Sequence, residues 1–198
     1  MHHFWSILFF CSLACNSFSQ PVAGTTGLLN SPSADMQVDG VFSAGANYLP
    51  DAITPEPAFN YNTFNYYVSM TFLPFMEISF RMTLIRDPGN NVRNQDRSVA
   101  LRFRVIKETK YLPALVAGGN DIYTTSAGGN QMFRTMYLAA TKHIHPGKNT
   151  LGFSLGYAPA FLHNKDFNGL FGGASFSPGF LPAVNLIAEY DTKVFSLG

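Results

Sequence analysis

Residues 75–106 constrain this chain more than any other stretch. Met76, Ile78, Phe80, Met82 and Leu84 place a large apolar side chain at every second position, with Glu77, Ser79, Arg81 and Thr83 between them. Asp87-Pro88-Gly89-Asn90-Asn91 follows. Val99, Leu101, Phe103 and Val105 then alternate with Ser98, Ala100, Arg102 and Arg104. Period-two alternation on both sides of a Gly/Asn/Pro turn predicts a β-hairpin. Strands of soluble sheets run about five or six residues. These run about nine to eleven, the length that crosses a bilayer when tilted. The expected fold is therefore all-β: an antiparallel up-and-down transmembrane β-barrel, apolar face toward lipid and arginines toward a polar lumen.

Composition agrees. Charged residues make up 13% of the 198, well under the usual quarter. Aromatics are 15%, with 19 Phe and 9 Tyr. Beyond residue 20 no run of about eighteen apolar residues exists, so no spanning helix is expected. A net charge of +1 without a lysine/arginine stripe gives no electrostatic case for a nucleic-acid partner, and none is expected.

Residues 1–20 read as a secretory leader: a short apolar run over 4–14, then Ser17-Phe18-Ser19-Gln20 before Pro21. Its first residues lack Lys and Arg. Cys11 and Cys15 both lie inside it, so the mature domain, 21–198, is expected to have no cysteine. Cys15 follows Leu13-Ala14, which raises lipidation. Ser12 stands where such signals place an aliphatic residue, and an ordinary cleaved leader is favoured.

Residues 21–40 are small, turn-rich and almost uncharged, and are expected to form an irregular segment tucked into the lumen. Strands follow in series. Phe42 to Tyr48 alternate, then a proline-rich loop over 50–57 leads to Phe64, Tyr66, Val68, Met70 and Phe72. Leu73-Pro74 turns into the hairpin, since proline cannot donate within a ladder. Further strands are expected over 112–123, around Met136, Leu138 and Ala140, over 151–158, at Leu170 to Phe176, over 184–191, and from Val194 onward. That makes about ten strands, the last too short to cross a membrane at about 3.3 Å per residue. Barrels need paired ends, so the expectation is that the chain is truncated or that its barrel is completed by another subunit.

Several ordered motifs resemble those of the YjbH family, also called YbjH, of outer-membrane exopolysaccharide proteins. They are Gly27-Leu28-Leu29-x-x-Pro32-x-Ala34 with Asp39-Gly40, and Leu73-Pro74-Phe75-x-Glu77-x-x-Phe80-Arg81. Asp96-Arg97-Ser98 comes next, then Glu108-x-x-Tyr111-x-Pro113-x-x-x-Ala117-Gly118-x-x-Asp121, then Phe171-Gly172-Gly173 and Ala188-Glu189-Tyr190-Asp191. The resemblance covers roughly residues 24–195. The chain departs from the family pattern at Thr124-Thr125 and Met136-Tyr137. The resemblance implies an outer-membrane barrel of a Gram-negative cell, tied to secretion of exopolysaccharide or capsule. The implied partners are outer-membrane lipid, the polymer and other polysaccharide-export proteins.

The candidate ligand-binding residues are those facing the lumen. Arg81, Arg102 and Arg104 share a face with Glu77. Guanidinium forks bind carboxylates in bidentate fashion, which suits a polar track for an anionic or hydroxyl-rich glycan. An internal ion-pair network between strands is the favoured alternative, because a narrow barrel is filled by its own side chains. Glu189 and Asp191 lie on one face of one strand, about 7 Å apart. That gap suits glycoside hydrolysis, but pairing with the arginines is favoured. His143 and His145 form an H-x-H beside a Pro-Gly turn and read as solvated, as does His163 near Asp166. Ser154 and Ser175 lack a G-x-S-x-G turn. No catalytic, metal or cofactor motif is expected, and a non-enzymatic barrel is favoured. The alternatives are an envelope enzyme using His143, His163 or Glu189/Asp191, and a secreted glycan-binding sandwich.

Overall fold

A computed structural model describes residues 21, 23–51, 54, 61–86, 91–121, 132–164, 166–181 and 183–198. The leader with Cys11 and Cys15, most of the 50–57 loop, most of the turn after Arg86 and the 124–131 loop lie outside the described residues.

The strands are β1 Phe42–Leu49, β2 Thr63–Thr71, β3 Met76–Arg86, β4 Val92–Ile106 and β5 Ala114–Asn120. They continue with β6 Thr135–Ile144, β7 Thr150–Ala158, β8 Gly169–Ser177, β9 Leu186–Tyr190 and β10 Phe195–Leu197. All ten form one antiparallel sheet in chain order. The all-β, up-and-down expectation holds. The closed barrel does not follow: β1 and β10 are the two edges of the sheet, and neither pairs with the other. β10 is three residues long and pairs with β9, and so short a strand offers few backbone groups for a second ladder.

The hairpin at the centre pairs Ile78 with Leu101, Glu77 with Arg102 and Phe80 with Val99. β4 starts at Val92, earlier than its apolar alternation suggests, because backbone pairing continues through Asn94 and Gln95 against Ile85 and Leu84. Burial follows the alternation strictly. Glu77, Ser79, Arg81 and Thr83 are buried, whereas Ile78 and Phe80 are exposed. β2 shows the same split between buried Asn65 and Ser69 and exposed Tyr66 and Val68, and β7 between Gly156 and exposed Leu155 and Tyr157. The sheet thus carries its polar face inward and its large apolar side chains outward.

The described residues of 21–37 line the inner face, most of them buried and the rest half-buried. They also show that the sheet curls. The Thr26 N–H reaches Glu77 on β3 and the Leu29 N–H reaches Glu189 on β9. Flat, those strands would be six steps of about 4.8 Å apart, roughly 29 Å. Three residues of chain span at most about 10 Å, and two glutamate side chains cannot bridge the rest. The sheet is therefore a deep trough curled around its own N-terminal segment.

Curling brings aromatic side chains down on glycines of the neighbouring strand. Tyr67 lies over Gly45, Tyr137 over Gly118 and Phe171 over Gly156, each a directly paired position. Phe171 also packs against Tyr137 and Phe167, with ring centroids 6.1 and 5.8 Å away, forming the largest apolar cluster of the interior. A Cβ on Gly156 would run into the Phe171 ring. Gly156→Ala is expected to destabilise the fold by about 1–3 kcal/mol, as overpacking does. A denaturant titration in micelles measures it, and an unchanged midpoint would mean the Phe171 ring has room to swing away.

Candidate functional site

The inner face gathers the charged residues. Glu77 and Arg102 are opposite each other across the hairpin, 1% and 0% exposed, with Arg102 Nη1 3.3 Å from Glu77 Oε2. Arg81 lies further along β3, with Nη2 3.6 Å from Asp96 Oδ2 and its guanidinium stacked 3.9 Å from the Phe133 ring centroid. Two ion pairs thus join β3 to β4. Arg104 differs. It is half-buried at the end of β4, where the ladder to β5 shifts register, and it donates to the carbonyls of Pro74 (3.1 Å) and Met36 (3.5 Å) rather than to a carboxylate.

Glu189 and Asp191 do not pair with the arginines, contrary to expectation. The N-terminal segment stands between the two sides of the trough and supplies their donors. Gly27 and Pro32 bridge, and Leu28 N–H donates to Ser31 O, so residues 27–32 form a tight loop. At its tip the backbone N–H groups of Leu29, Asn30 and Ser31 donate to the Glu189 carboxylate at 3.0, 2.7 and 3.2 Å. The Asn30 amide donates to Asp191 Oδ2 at 2.7 Å. Successive N–H groups converging on one anion form a nest. Asp191 Oδ1 also accepts from the backbone of Lys193 and Val194, closing the β9–β10 turn.

The other side of the segment is held by the hairpin. Thr26 N–H and Oγ1 donate to Glu77 Oε1, at 2.6 and 3.3 Å. Arg102 donates to the carbonyls of Thr26, Ser33 and Asp35. Ala34 N–H donates to Thr141 Oγ1 at 2.8 Å, and Ala34 packs on Ala114 and Val116. Four of the six residues singled out from the sequence thus converge on residues 26–35. Eight of these ten bonds are to main-chain atoms of the segment, with the donors of residues 29–31 gathered at Glu189 and the acceptors of residues 26, 33 and 35 gathered at Arg102.

Two further clusters sit at the ends of the sheet. Asp166, in the loop between β7 and β8, is buried 3.3 Å from Lys193 Nζ. Burial pushes its carboxyl up to about 6 against the pull of Lys193 and Arg81. At the opposite end His143 is not a solvated loop residue. It is near the end of β6, its Nδ1 2.7 Å from Glu108 Oε2 and its Nε2 3.7 Å from Asp35 of the N-terminal segment. Burial pushes the Glu108 carboxyl up, but hydrogen bonds from His143 and Lys142 outweigh it and hold it below the usual carboxylate range. Glu108 and Asp35 are far from His143 in sequence, which is why spacing gave no sign of the contact. Among the described residues no group of three or more His, Cys, Asp or Glu side chains is arranged to hold a metal ion.

A trough whose polar interior is filled by a segment bearing Gly27-Leu28-Leu29 and Pro32-x-Ala34 ties the sequence motifs to the geometry. The model of a family described as exopolysaccharide biosynthesis protein YbjH matches residues 19–196. This chain belongs to the YjbH family. It is 29% identical over 148 residues to the Escherichia coli (strain K12) protein named uncharacterized lipoprotein YjbH, an overlap of 70% of this chain and 19% of that relative. The chain thus spans about a fifth of the length of the curated relative it matches. No solved structure matches the chain. Within the YjbH family motifs, Glu77, Glu189 and Asp191 are residues of the cradle, and Arg81 and Asp121 belong to the buried polar wall beyond it.

Proposed function

We propose that this YjbH-family chain forms the wall of an outer-membrane β-barrel that serves exopolysaccharide export or assembly without catalysing a reaction. The observation that carries this is the inverted burial. Arg81, Arg102, Glu77, Glu189 and Asp191 are at most 3% exposed, whereas Phe153, Leu155, Tyr157 and Leu170 are 48–63% exposed side by side on the outer face. A contiguous apolar face of this size is untenable in water and natural in lipid. The connections differ at the two ends of the sheet: 72–75, 107–113, 145–149 and 178–185 are all short at one, whereas the other carries the long 50–62, 121–134 and 159–168 beside the short 87–91 and 191–194. Short periplasmic turns and longer external loops give that asymmetry. The family's exopolysaccharide biosynthesis description supports the polymer, and the relative's name, a lipoprotein, supports an envelope location.

Fractionation of cells producing the chain, paired with a polymer assay in a deletion strain, tests the reading. The chain is expected in the outer-membrane fraction, released only by detergent, with secreted polysaccharide lost on deletion and restored by the gene. Recovery in the periplasm or medium without detergent would sink the barrel, and unchanged polymer output would sink the export role.

A further inference from the structure

We propose that the cradle holding residues 26–35 is a binding site for a neutral, hydroxyl-rich glycan chain, and that the N-terminal segment occupies it as a competitor. This rests on the exopolysaccharide reading above and adds the ligand's charge class and the way its site is controlled. The cradle presents Glu77, Glu189 and Asp191 as acceptors and Arg102 as a donor. Its present occupant meets them through the N–H groups of Thr26, Leu29, Asn30 and Ser31 and the carbonyls of Thr26, Ser33 and Asp35. A run of sugar hydroxyls can meet both ends, because each hydroxyl donates to a carboxylate as readily as it accepts from a guanidinium.

Charge selects the class of glycan. Glu77 faces Arg102, but the bonds to Glu189 and Asp191 come from neutral N–H groups. A uronate or other acidic sugar at that end would set like charges together in a buried site. The segment itself is small and uncharged from Gly24 to Ala34.

Competition follows from burial. Withdrawing the segment alone would strip the Glu189 carboxylate of three N–H donors and Arg102 of three carbonyl acceptors, leaving Arg102 and Glu77 only each other, a costly state. It leaves readily only when something of the same hydrogen-bonding chemistry replaces it. Glycan entry and segment release are therefore one exchange.

The test uses the full chain in detergent micelles, with calorimetric titration of maltoheptaose and of an oligogalacturonate of equal length. One variant carries Ala34→Cys and Ala114→Cys, which pack together, to lock the segment by a disulfide; the sequence has no cysteine beyond Cys15. A second carries Leu29→Pro and Asn30→Ala, which weakens the segment's hold and leaves the wall untouched. Maltoheptaose is expected to bind the second variant at least tenfold more tightly than the oxidised lock, with reduction restoring wild-type affinity. The oligogalacturonate is expected to bind the second variant at least tenfold more weakly than maltoheptaose does. Equal maltoheptaose affinity in the oxidised and reduced lock, and in the second variant and wild type, overturns the competition and leaves the exopolysaccharide reading standing. Tighter binding of the acidic probe overturns the neutral class. Absence of binding by both probes in every form sinks this inference, while the exopolysaccharide reading is decided separately by polymer output in the deletion strain.

Discussion

Replacing Arg102 by methionine is expected to cost about 3–5 kcal/mol of folding stability, the range for breaking a buried ion pair by removing one partner. Arg102 is fully buried, 3.3 Å from Glu77, and donates to three carbonyls of the N-terminal segment. Methionine fills much of the volume but leaves the Glu77 charge without its cation and the carbonyls without donors. Desolvation of unpaired groups, more than lost attraction, sets the size of the effect. Adding Glu77→Gln should recover part of the loss, because the stranded charge disappears. Arg104 is the internal control, two residues along the same strand. It is half-buried and donates to two carbonyls at the rim, so Arg104→Met should cost less than about 1 kcal/mol. Urea titration in micelles, followed by circular dichroism, measures all four forms. A loss at Arg102 no larger than at Arg104 would show that the hairpin does not anchor the segment.

Leu101→Arg is the second large effect, and it depends on the solvent. Leu101 points outward between Ile78 on β3 and Gly119 on β5, near the middle of the sheet. A lipid-facing arginine near the bilayer midplane costs roughly 2–4 kcal/mol. On a water-facing surface the same change falls within about 0.5 kcal/mol. Folding into phosphatidylcholine vesicles should therefore be impaired while folding in detergent is little changed. Ala100→Arg, one residue away, points inward and would be the milder variant if the interior had room. It has none: Ala100 is 2% exposed between Ser79 and Asn120. Ala100→Arg should then fail in vesicles and in detergent alike. Leu101→Arg folding normally into vesicles would place the outer face in water and remove the barrel.

Much of the fold was legible because a strand has a period of two and its two faces meet different surroundings. Glu77, Arg81 and Arg102 against Ile78, Phe80 and Leu101 assign inside and outside without any tertiary contact. Strand order followed from turns such as Leu73-Pro74 and Pro146-Gly147. The first half of β4 was harder to read. Residues 92–97 are mostly polar and carry no alternation, yet they pair with β3, since ladder hydrogen bonds come from the backbone whatever the side chain.

Tertiary structure alone decided the partners of the buried charges. Glu189 suggested an arginine partner, yet it accepts from three main-chain N–H groups some 160 positions away. Every residue except proline carries such an N–H, so the donor leaves no mark in the sequence that distinguishes residues 29–31 from any other turn. Likewise His143 reads as a loop histidine until β6 brings it beside Glu108 and the N-terminal segment brings Asp35 to its other nitrogen. Side-chain alternation records which face a residue takes, because that is a local property of the strand. Which group it meets on that face depends on how far the sheet curls, and curvature is set by the packing of all ten strands around the segment inside them.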